Sequence, residues 1–431
     1  MKIHLIGIGG IGVSALAQYY LSKGHEVSGS DLVASEITDF LAKKGIKISI
    51  GNYAENIAKD LDLVVYSPAV KKDNPELLQA THYKLQTKSY PEALGDLTKE
   101  YYTIAVSGAH GKSTTTAMIA LILAKAGLDP TVIVGTKLKE FGNSNFRSGG
   151  EVRSQKLGVR SYLVIEACEY DSSFLHYSPK IIVVTNIDKE HLDYFKTFAN
   201  VKKAFKDFIA KLPRPGEPGY PGFLVDKYPE KVIKKIKNIL KVPGTHNVSN
   251  ATLAFQVAKI LAIPDKIILK ALSEFKGTWR RFEILKEANK VKGPKGYPSY
   301  TLISDYAHHP NEISATLKAA REKYPNKKIW CVFQPHQHQR TYYLFNDFVK
   351  TFRSVPIDKI IITDIYDVAG RETKTINKEV NSKMLVEKIN KKSVSYIPLC
   401  DIEGFVKENI KLGDVLIIMG AGDIYKLADK F

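Results

Sequence analysis

The apolar residues of this chain fall into short continuous runs, and stretches with helical spacing lie between them. Short β-branched and aliphatic runs bounded by glycines and charged residues are typical of buried parallel strands. Apolar positions three or four residues apart predict amphipathic helices. Because strands that alternate with helices build βαβ units, we expect an α/β protein with parallel sheets.

These elements form three successive groups. In the first group, strands are predicted at 2–6, 26–30 and 62–66, and helices at 11–23 and 91–98. In the second group, strands are predicted at 103–106, 162–165 and 180–185, and a helix at 114–126. In the third group, strands are predicted at 301–304, 328–333, 359–363 and 415–419. The groups share no repeat period, so we predict three domains rather than a solenoid, at 1–98, 99–277 and 278–431.

The first predicted strand ends in a glycine-rich turn, residues 7–12, which we call the glycine loop. Its glycines allow a tight turn and a close approach to a diphosphate, and the helix that follows offers backbone N–H groups. Asp31 ends the second strand, where an acidic residue can bind a ribose hydroxyl. The loop predicts a nucleotide-diphosphate site, with a ligand-free turn as the alternative, and does not distinguish NAD from a UDP-sugar. The predicted contacts within it are Gly9, Gly10, Ile11 and Gly12.

A second loop, residues 108–114, follows the strand at 103–106 and opens a helix; we call it the phosphate loop. It has two residues between its glycines, where the standard P-loop has four. The P-loop chemistry is still available, because N–H groups can cradle phosphates, Lys112 can reach the β- and γ-phosphates, and Ser113 can ligate Mg²⁺. We therefore predict ATP binding, against a chance Gly-Lys-Ser at a helix start. The predicted contacts are Gly108, Ala109, His110, Gly111, Lys112, Ser113 and Thr114.

Acidic residues and a histidine follow the two other strands of the second group. Glu166 comes directly after the strand at 162–165, and His191 follows the strand at 180–185. Ligands of open α/β sheets bind beyond the carboxyl ends of strands, so both residues are expected beside the phosphate loop. Carboxylate oxygens suit Mg²⁺, whereas imidazole is a softer ligand. Taken alone, His191 fits a helix cap or a surface role equally well, but the neighbouring phosphate loop favours a metal site.

Basic and aromatic residues gather in the third group. Arg281 lies at the junction with the second group, and loops rich in histidine follow the strands at 301–304 and 328–333. Because each loop begins at the carboxyl end of a strand, they are expected to converge on one crevice. Arg281 and Arg340 suit recognition of a phosphate or carboxylate by paired hydrogen bonds.

His246 and Asn250 are four residues apart, so in a helix they share one face. An asparagine amide has the donor and acceptor needed to bind the edge of adenine. Helix capping by neighbouring residues is the alternative explanation of this segment.

Composition and charge narrow the class of protein. The chain has 431 residues and a formal net charge of +18, which fits either a lysine-rich surface or an anionic partner such as a phosphorylated small molecule. Low-complexity and collagen-like chains are excluded, and no apolar run is long enough to span a membrane. The 3 cysteines are far apart, which fits a reducing cytoplasm.

The order of the motifs resembles that of the Mur ligases, the ATP-dependent amide-forming enzymes of peptidoglycan synthesis. The segments that carry the resemblance are 7–17, 166–170, 185–188, 305–310, 333–336 and 420–424. The resemblance covers essentially the whole chain, and these motifs together are highly specific. The resemblance implies a Rossmann-like N-terminal domain that binds the UDP of UDP-N-acetylmuramate, a P-loop ATPase-type central domain, and a Rossmann-like C-terminal domain that brings L-alanine.

The resemblance also implies roles for individual residues, by position in this chain. Implied catalytic residues are Lys112, Arg281 and His308, and implied Mg²⁺ ligands are Ser113, Glu166 and His191. Besides the phosphate loop, the implied ATP contacts are His246, Asn250, Arg281 and Asp305. Implied substrate contacts are Gly9, Gly10, Ile11, Gly12, Asp31, Ser67, Tyr306, His308 and Arg340. Gln337 stands where some members carry an arginine, so Arg340 is expected to bind the amino-acid carboxylate alone.

These implications predict a cytoplasmic monomer or homodimer that uses ATP and Mg²⁺ to join L-alanine to the carboxylate of UDP-N-acetylmuramate through an acyl phosphate. Neither a nucleic acid nor a membrane is an expected partner. One alternative is a murein tripeptide ligase of cell-wall recycling. An NAD-dependent oxidoreductase would leave the phosphate loop without a role, and a nucleic-acid-binding ATPase rests only on the charge.

Overall fold

A computed structural model describes residues 1–151, 161–217, 220–288, 299–367 and 379–431. The strands are β1 (Lys2–Ile6), β2 (Glu26–Asp31), β3 (Lys47–Ile50), β4 (Leu63–Tyr66), β5 (Thr87–Ser89), β6 (Tyr102–Ser107), β7 (Thr131–Leu138), β8 (Ser144–Arg147), β9 (Tyr162–Glu166), β10 (Ile181–Val184), β11 (Phe223–Val225), β12 (Glu283–Lys286), β13 (Thr301–Asp305), β14 (Ile329–Phe333), β15 (Lys359–Ile362), β16 (Val394–Tyr396) and β17 (Val415–Met419). The α-helices are α1 (Ile11–Ser22), α2 (Glu36–Lys43), α3 (Pro75–His82), α4 (Tyr90–Glu100), α5 (Lys112–Lys125), α6 (Leu192–Phe195), α7 (Phe198–Ile209), α8 (Glu230–Lys237), α9 (Thr245–Ile260), α10 (Asp265–Glu274), α11 (Pro310–Lys323), α12 (His338–Tyr343), α13 (Phe345–Ser354), α14 (Ser382–Ile389) and α15 (Ile402–Asn409). Within these ranges, every helix is too short or too polar to cross a bilayer.

The strands form three sheets, which agrees with the predicted α/β fold. The first sheet has the order β3-β2-β1-β4-β5 and is parallel throughout, the order of the first five strands of a Rossmann fold. The second has the order β11-β10-β6-β9-β7-β8, and only the β7–β8 pair is antiparallel among its described pairs. The third has the order β12-β13-β17-β14-β15-β16, with β12 antiparallel to its neighbour.

The central strands of each sheet are apolar because helices cover both faces of a parallel sheet. All five residues of β17 are buried, as are all five of β14. In β6 the residues Ile104, Ala105 and Val106 are fully buried. The loops that follow these strands therefore start from a rigid base.

The chain divides into two compact units. The first comprises residues 1–239 and 249–275 and contains the first and second sheets. The second comprises residues 240–248 and 276–431 and contains the third sheet. The three domain ranges proposed from the sequence remain predictions.

Within the first unit, a buried polar seam joins helix α1 to strand β8. Gln18 Nε2 donates to Asn145 Oδ1 at 2.8 Å, and Ser144 Oγ donates to Gln18 Oε1 at 3.1 Å. Asn145 Nδ2 donates in turn to Ser14 Oγ at 2.9 Å. All four side chains are buried, so each hydrogen bond replaces one to water. The seam therefore fixes the position of the first sheet against the second.

Candidate active site

Strand β2 holds the glycine loop in place. The N–H groups of Gly7 and Ile8 both donate to the carbonyl of Ser30, at 2.8 and 2.9 Å. The N–H group of Gly9 donates to Asp31 Oδ2 at 2.8 Å. Asp31, predicted to contact a ribose, therefore also anchors the loop through one carboxylate oxygen.

Close neighbours explain why the loop requires glycine. A Cβ atom at Gly7, where φ is +77°, would lie 2.9 Å from Cβ of Ser67. A Cβ atom at Gly12 would lie 2.9 Å from the Cζ and Oη atoms of Tyr90. Ser67 thus borders the loop, and its contact with the substrate remains a prediction, whereas the sequence offered no signal for Tyr90. The first turn of α1 carries no acidic side chain, so its positive end favours an anion.

The phosphate loop is supported by the segment that follows β10. Gly108 and Gly111 have φ values of +133° and +85°, which glycine adopts readily. Thr185 Oγ1 donates to the carbonyl of His110 at 2.6 Å, and Asn186 Oδ1 accepts from the N–H of His110 at 3.0 Å. Two residues of this segment therefore shape the loop itself.

Lys112 is the first residue of α5, and its side chain folds back over the loop. Its Nζ donates to the carbonyls of Gly108 at 2.6 Å and Ala109 at 3.2 Å, and lies 3.1 Å from Glu169 Oε2. Only 12% of the Lys112 side chain and 1% of the Glu169 side chain are exposed. Burial lowers the pKa of Lys112, but the carboxylates of Glu169 and Glu166 more than offset it, so the pKa lies above its ordinary value. The lysine is therefore a permanent cation.

Ser113 and Glu166, two of the three implied metal ligands, are brought together. Ser113 Oγ donates to Glu166 Oε2 at 2.8 Å, and the N–H of Gly135 donates to the same oxygen at 2.9 Å. His191 Nε2 lies 3.8 Å from Glu169 Oε1, the residue that also pairs with the lysine of the loop. A hydroxyl and a carboxylate are hard oxygen donors, so the residues present fit Mg²⁺.

The predicted helical pair His246 and Asn250 does lie in a helix, α9. Asn250 borders the phosphate loop, because a Cβ atom at Gly111 would lie 2.4 Å from its Oδ1. His246 belongs to the second unit, where burial and the charge of Arg281 lower its pKa to about 4. His246 is therefore neutral at physiological pH. Adenine contact by either residue remains a prediction.

In the second unit, Asp305 organises the backbone around the end of β13. Its Oδ2 accepts the N–H of Phe282 at 2.7 Å, and its Oδ1 accepts the N–H of Ala307 at 2.8 Å. Burial raises its pKa, and the charge of Arg281 opposes that shift. Arg281 lies 5.0 Å from the ring of Tyr306. Asp305 therefore positions the segment of Arg281, and direct contacts with ATP remain predicted.

Arg280, adjacent to the implied Arg281, is 4% exposed. Its Nη2 donates to the carbonyls of Gly420 and, at 3.1 Å, Gly422. Its guanidinium carbon lies 4.8 Å from the ring centre of Tyr306 and 4.3 Å from that of Tyr425. Arg280 thus ties the segment after β17 to the aromatic residues near β13, a contact that the sequence does not reveal.

The loops after β13 and β14 converge, as predicted. His308 Nδ1 lies 3.4 Å from Glu312 Oε2, and the rings of His308 and His336 are 5.9 Å apart. Arg340 Nη1 lies 3.0 Å from His336 Nδ1, and the ring of Tyr366 stacks on His336 at 5.6 Å. The three residues implied for the amino-acid site share this cluster: Tyr306, His308 and Arg340.

Family profiles match all three parts of the chain. The Mur ligase family, catalytic domain profile matches residues 2–102, the Mur ligase middle domain profile matches 106–239, and the Mur ligase, glutamate ligase domain profile matches 280–422. The chain belongs to the Mur ligase family. The family inferred from the motifs is thus confirmed, together with its three-part α/β architecture.

Named relatives cover this Mur ligase from end to end. UDP-N-acetylmuramate–L-alanine ligases of Acetivibrio thermocellus and Clostridium tetani are each 41% identical over 477 residues, which span 100% of this chain and 95% and 97% of theirs. The crystal structure of UDP-N-acetylmuramate–alanine ligase from Thermotoga maritima aligns with a TM-score of 0.78 at 28% identity, covering 100% of this chain and 98% of that one. A murein peptide ligase from Psychrobacter arcticus, at 23% identity and a TM-score of 0.70 over 100% and 98% of the two chains, shares the fold.

Proposed function

We propose that this Mur ligase joins L-alanine to the carboxylate of UDP-N-acetylmuramate and uses ATP to drive the reaction. The observation that carries the proposal is that a glycine loop and a phosphate loop lie in one compact unit, with the Ser113–Glu166 pair at the second loop. The names of the full-length relatives support the same two substrates.

The proposed reaction has two bond-forming steps. A carboxylate oxygen of the muramate attacks the γ-phosphorus of ATP, the bond to the bridging oxygen breaks, and ADP leaves. The amine of L-alanine then attacks the acyl carbon, the carbon–oxygen bond to the phosphate breaks, and inorganic phosphate leaves. The amine loses a proton, and an amide remains.

The residues of the first unit contribute positioning and charge. Lys112, held by Glu169, supplies a fixed cation for the oxygens of the transferred phosphoryl group. Ser113 and Glu166, with His191 nearby, would hold Mg²⁺, which when bound neutralises phosphate charge. The N–H groups at the start of α1 would bind the diphosphate of the sugar nucleotide.

The residues of the second unit would bind the amino acid. Arg340 would pair with the alanine carboxylate. His308 is the candidate acceptor of the amine proton, because the carboxylate of Glu312, 3.4 Å away, would stabilise the protonated ring. Arg281 would add positive charge near the transferred phosphoryl group.

The larger organisation is part of the proposal. The domains would comprise residues 1–98, 99–277 and 278–431, and the enzyme would act as a monomer or homodimer. Since ATP and a nucleotide sugar are the proposed substrates, we expect it to work in the cytoplasm.

Phosphate release tests the proposal. The purified protein is supplied with ATP and Mg²⁺, then with UDP-N-acetylmuramate, L-alanine or both. Release that requires both substrates supports the ligase. Release with L-Ala-D-Glu-meso-diaminopimelate but not with L-alanine would assign the enzyme to tripeptide recycling instead.

A further inference from the structure

Tyr90 occupies a fixed position at the start of helix α4. Ser89 precedes it as the helix cap, with Ser89 Oγ accepting the N–H of Glu92 at 3.4 Å. The carboxylate of Glu92 accepts the N–H of Ser89 at 2.7 Å, which completes a capping box. Such a box defines how the chain enters the helix, and the ring of Tyr90 packs against the hydrophobic core of the first unit.

The ring of Tyr90 lies against the glycine loop. The position that a Cβ atom would take at Gly12 is 2.9 Å from both Cζ and Oη of the tyrosine. Gly12 belongs to the first turn of α1, whose N–H groups are the proposed diphosphate site. The phenol therefore borders that site from the side.

The same phenol also lies within the electrostatic reach of the phosphate-loop site. The charge of Glu166, a proposed Mg²⁺ ligand, acts on Tyr90 and on its neighbour Tyr177. Burial, aided by this carboxylate, raises the pKa of Tyr90 above its ordinary value, so the hydroxyl keeps its proton. In the part of the chain that the structure describes, this hydroxyl has no protein hydrogen-bond partner, and the residue is partly exposed.

We propose that the Tyr90 hydroxyl donates a hydrogen bond to an oxyanion of the bound sugar nucleotide beside Gly12. This inference rests on the proposed function. UDP-N-acetylmuramate carries anionic oxygens on its diphosphate and on its carboxylate, and the substrate must extend from the glycine loop to the phosphate loop. A neutral phenol beside Gly12 can donate to an anion of this substrate without adding charge.

The Tyr90→Phe variant removes only the hydroxyl, and Tyr83→Phe is the matched control, because Tyr83 is the C-cap of helix α3 and its ring lies under Lys59. The readouts are kcat and KM for UDP-N-acetylmuramate in phosphate release, and the affinities of UDP and of UDP-N-acetylmuramate without ATP. Because hydrogen bonds to charged groups contribute about 1.5–3 kcal/mol, we expect kcat/KM to fall about tenfold or more in Tyr90→Phe only.

The kinetic constants and the affinity for UDP together distinguish a contact with the diphosphate from a contact with the muramate carboxylate. A diphosphate contact lowers the affinity for UDP and raises KM with kcat unchanged. A carboxylate contact leaves the affinity for UDP intact and lowers kcat/KM. Either pattern supports the inference, whereas wild-type values of every readout in Tyr90→Phe overturn it.

A second pair of variants keeps the inference testable if the phenylalanine variant folds poorly. Tyr90→Gln retains a donor and Tyr90→Leu does not, at similar size. Equal losses in the two contradict the inference, and a smaller loss with glutamine supports it. Wild-type turnover is measured first, so that an inactive wild type refutes the proposed function, and an active one isolates the question of Tyr90.

Discussion

Replacing Lys112 with methionine removes one charge of a buried pair and leaves the other. With Nζ and Oε2 3.1 Å apart and an effective dielectric constant of about 20, the Coulomb attraction is about 5 kcal/mol before desolvation. Truncating one partner of such a pair costs about 3–5 kcal/mol, because the remaining charge is stranded. We therefore expect Lys112→Met to lower both stability and activity.

The double variant Lys112→Met/Glu169→Gln separates these two effects. Glutamine preserves the volume of Glu169 and removes the stranded charge, so most of the lost stability should return. Activity should not return, since a positioned cation at a transferred phosphoryl group contributes about 10³-fold or more to the rate. Thermal melting and phosphate release on the wild type, both single variants and the double variant measure the two quantities.

The expected melting shift is large enough to resolve. In a unit of this size, 3 kcal/mol corresponds to roughly 6–12 °C. The reasoning is refuted if Lys112→Met, shown to be folded, turns over near the wild-type rate. The claim that the stranded charge of Glu169 causes the loss of stability is refuted if the double variant melts no higher than Lys112→Met.

Three further predictions follow from the described contacts. Ser113→Ala removes the hydroxyl that donates to Glu166. We expect this variant to need about tenfold more Mg²⁺ for half-maximal phosphate release, because a hard oxygen donor is lost. An unchanged Mg²⁺ titration would contradict this prediction. Arg280→Lys keeps the charge but loses the planar stacking and the paired donors, so stability should fall by about 2 kcal/mol, to be checked by melting against the conservative change Arg281→Lys. His246 has a folded pKa of about 4, below its unfolded value near 6.5, so the unfolded chain binds more protons between these values. The protein should lose stability as pH falls from 6.5 to 4, and His246→Gln should show a shallower loss.

Continuous apolar runs made some strands predictable to the residue. Strands β1 and β17 have the predicted ends, at 2–6 and 415–419, because a glycine follows each largely buried run. The β7–β8 hairpin was not predicted. Its strand β8 reads Ser-Asn-Phe-Arg, which has no apolar run, and it lies at the edge of the sheet. There, pairing with a neighbour rather than local pattern determines the structure.

The candidate site also has parts that the sequence predicts and parts that it does not. Both loops were located from local spacing, because a strand, a turn and a helix in succession create them. The partners of those loops lie far along the chain: Glu169 is 57 residues from Lys112, and Asn186 is 76 from His110. Contacts of this kind depend on how strands are ordered in the sheet, so local spacing does not encode them. Tyr90 beside Gly12 belongs to the same class.

The seam of Gln18, Ser144 and Asn145 limits how this chain can be cut or recombined. A fragment that ends near residue 102 would expose the amide of Gln18, which is now paired with Ser144 and Asn145 of strand β8. Grafting a first sheet that lacks Ser14 or Gln18 would leave groups of strand β8 without these partners, at a cost of about 1–3 kcal/mol for each donor or acceptor left unsatisfied. Chimeric enzymes should therefore inherit residues 1–239 as a single block, and sequence exchange in evolution is expected to respect the same boundary.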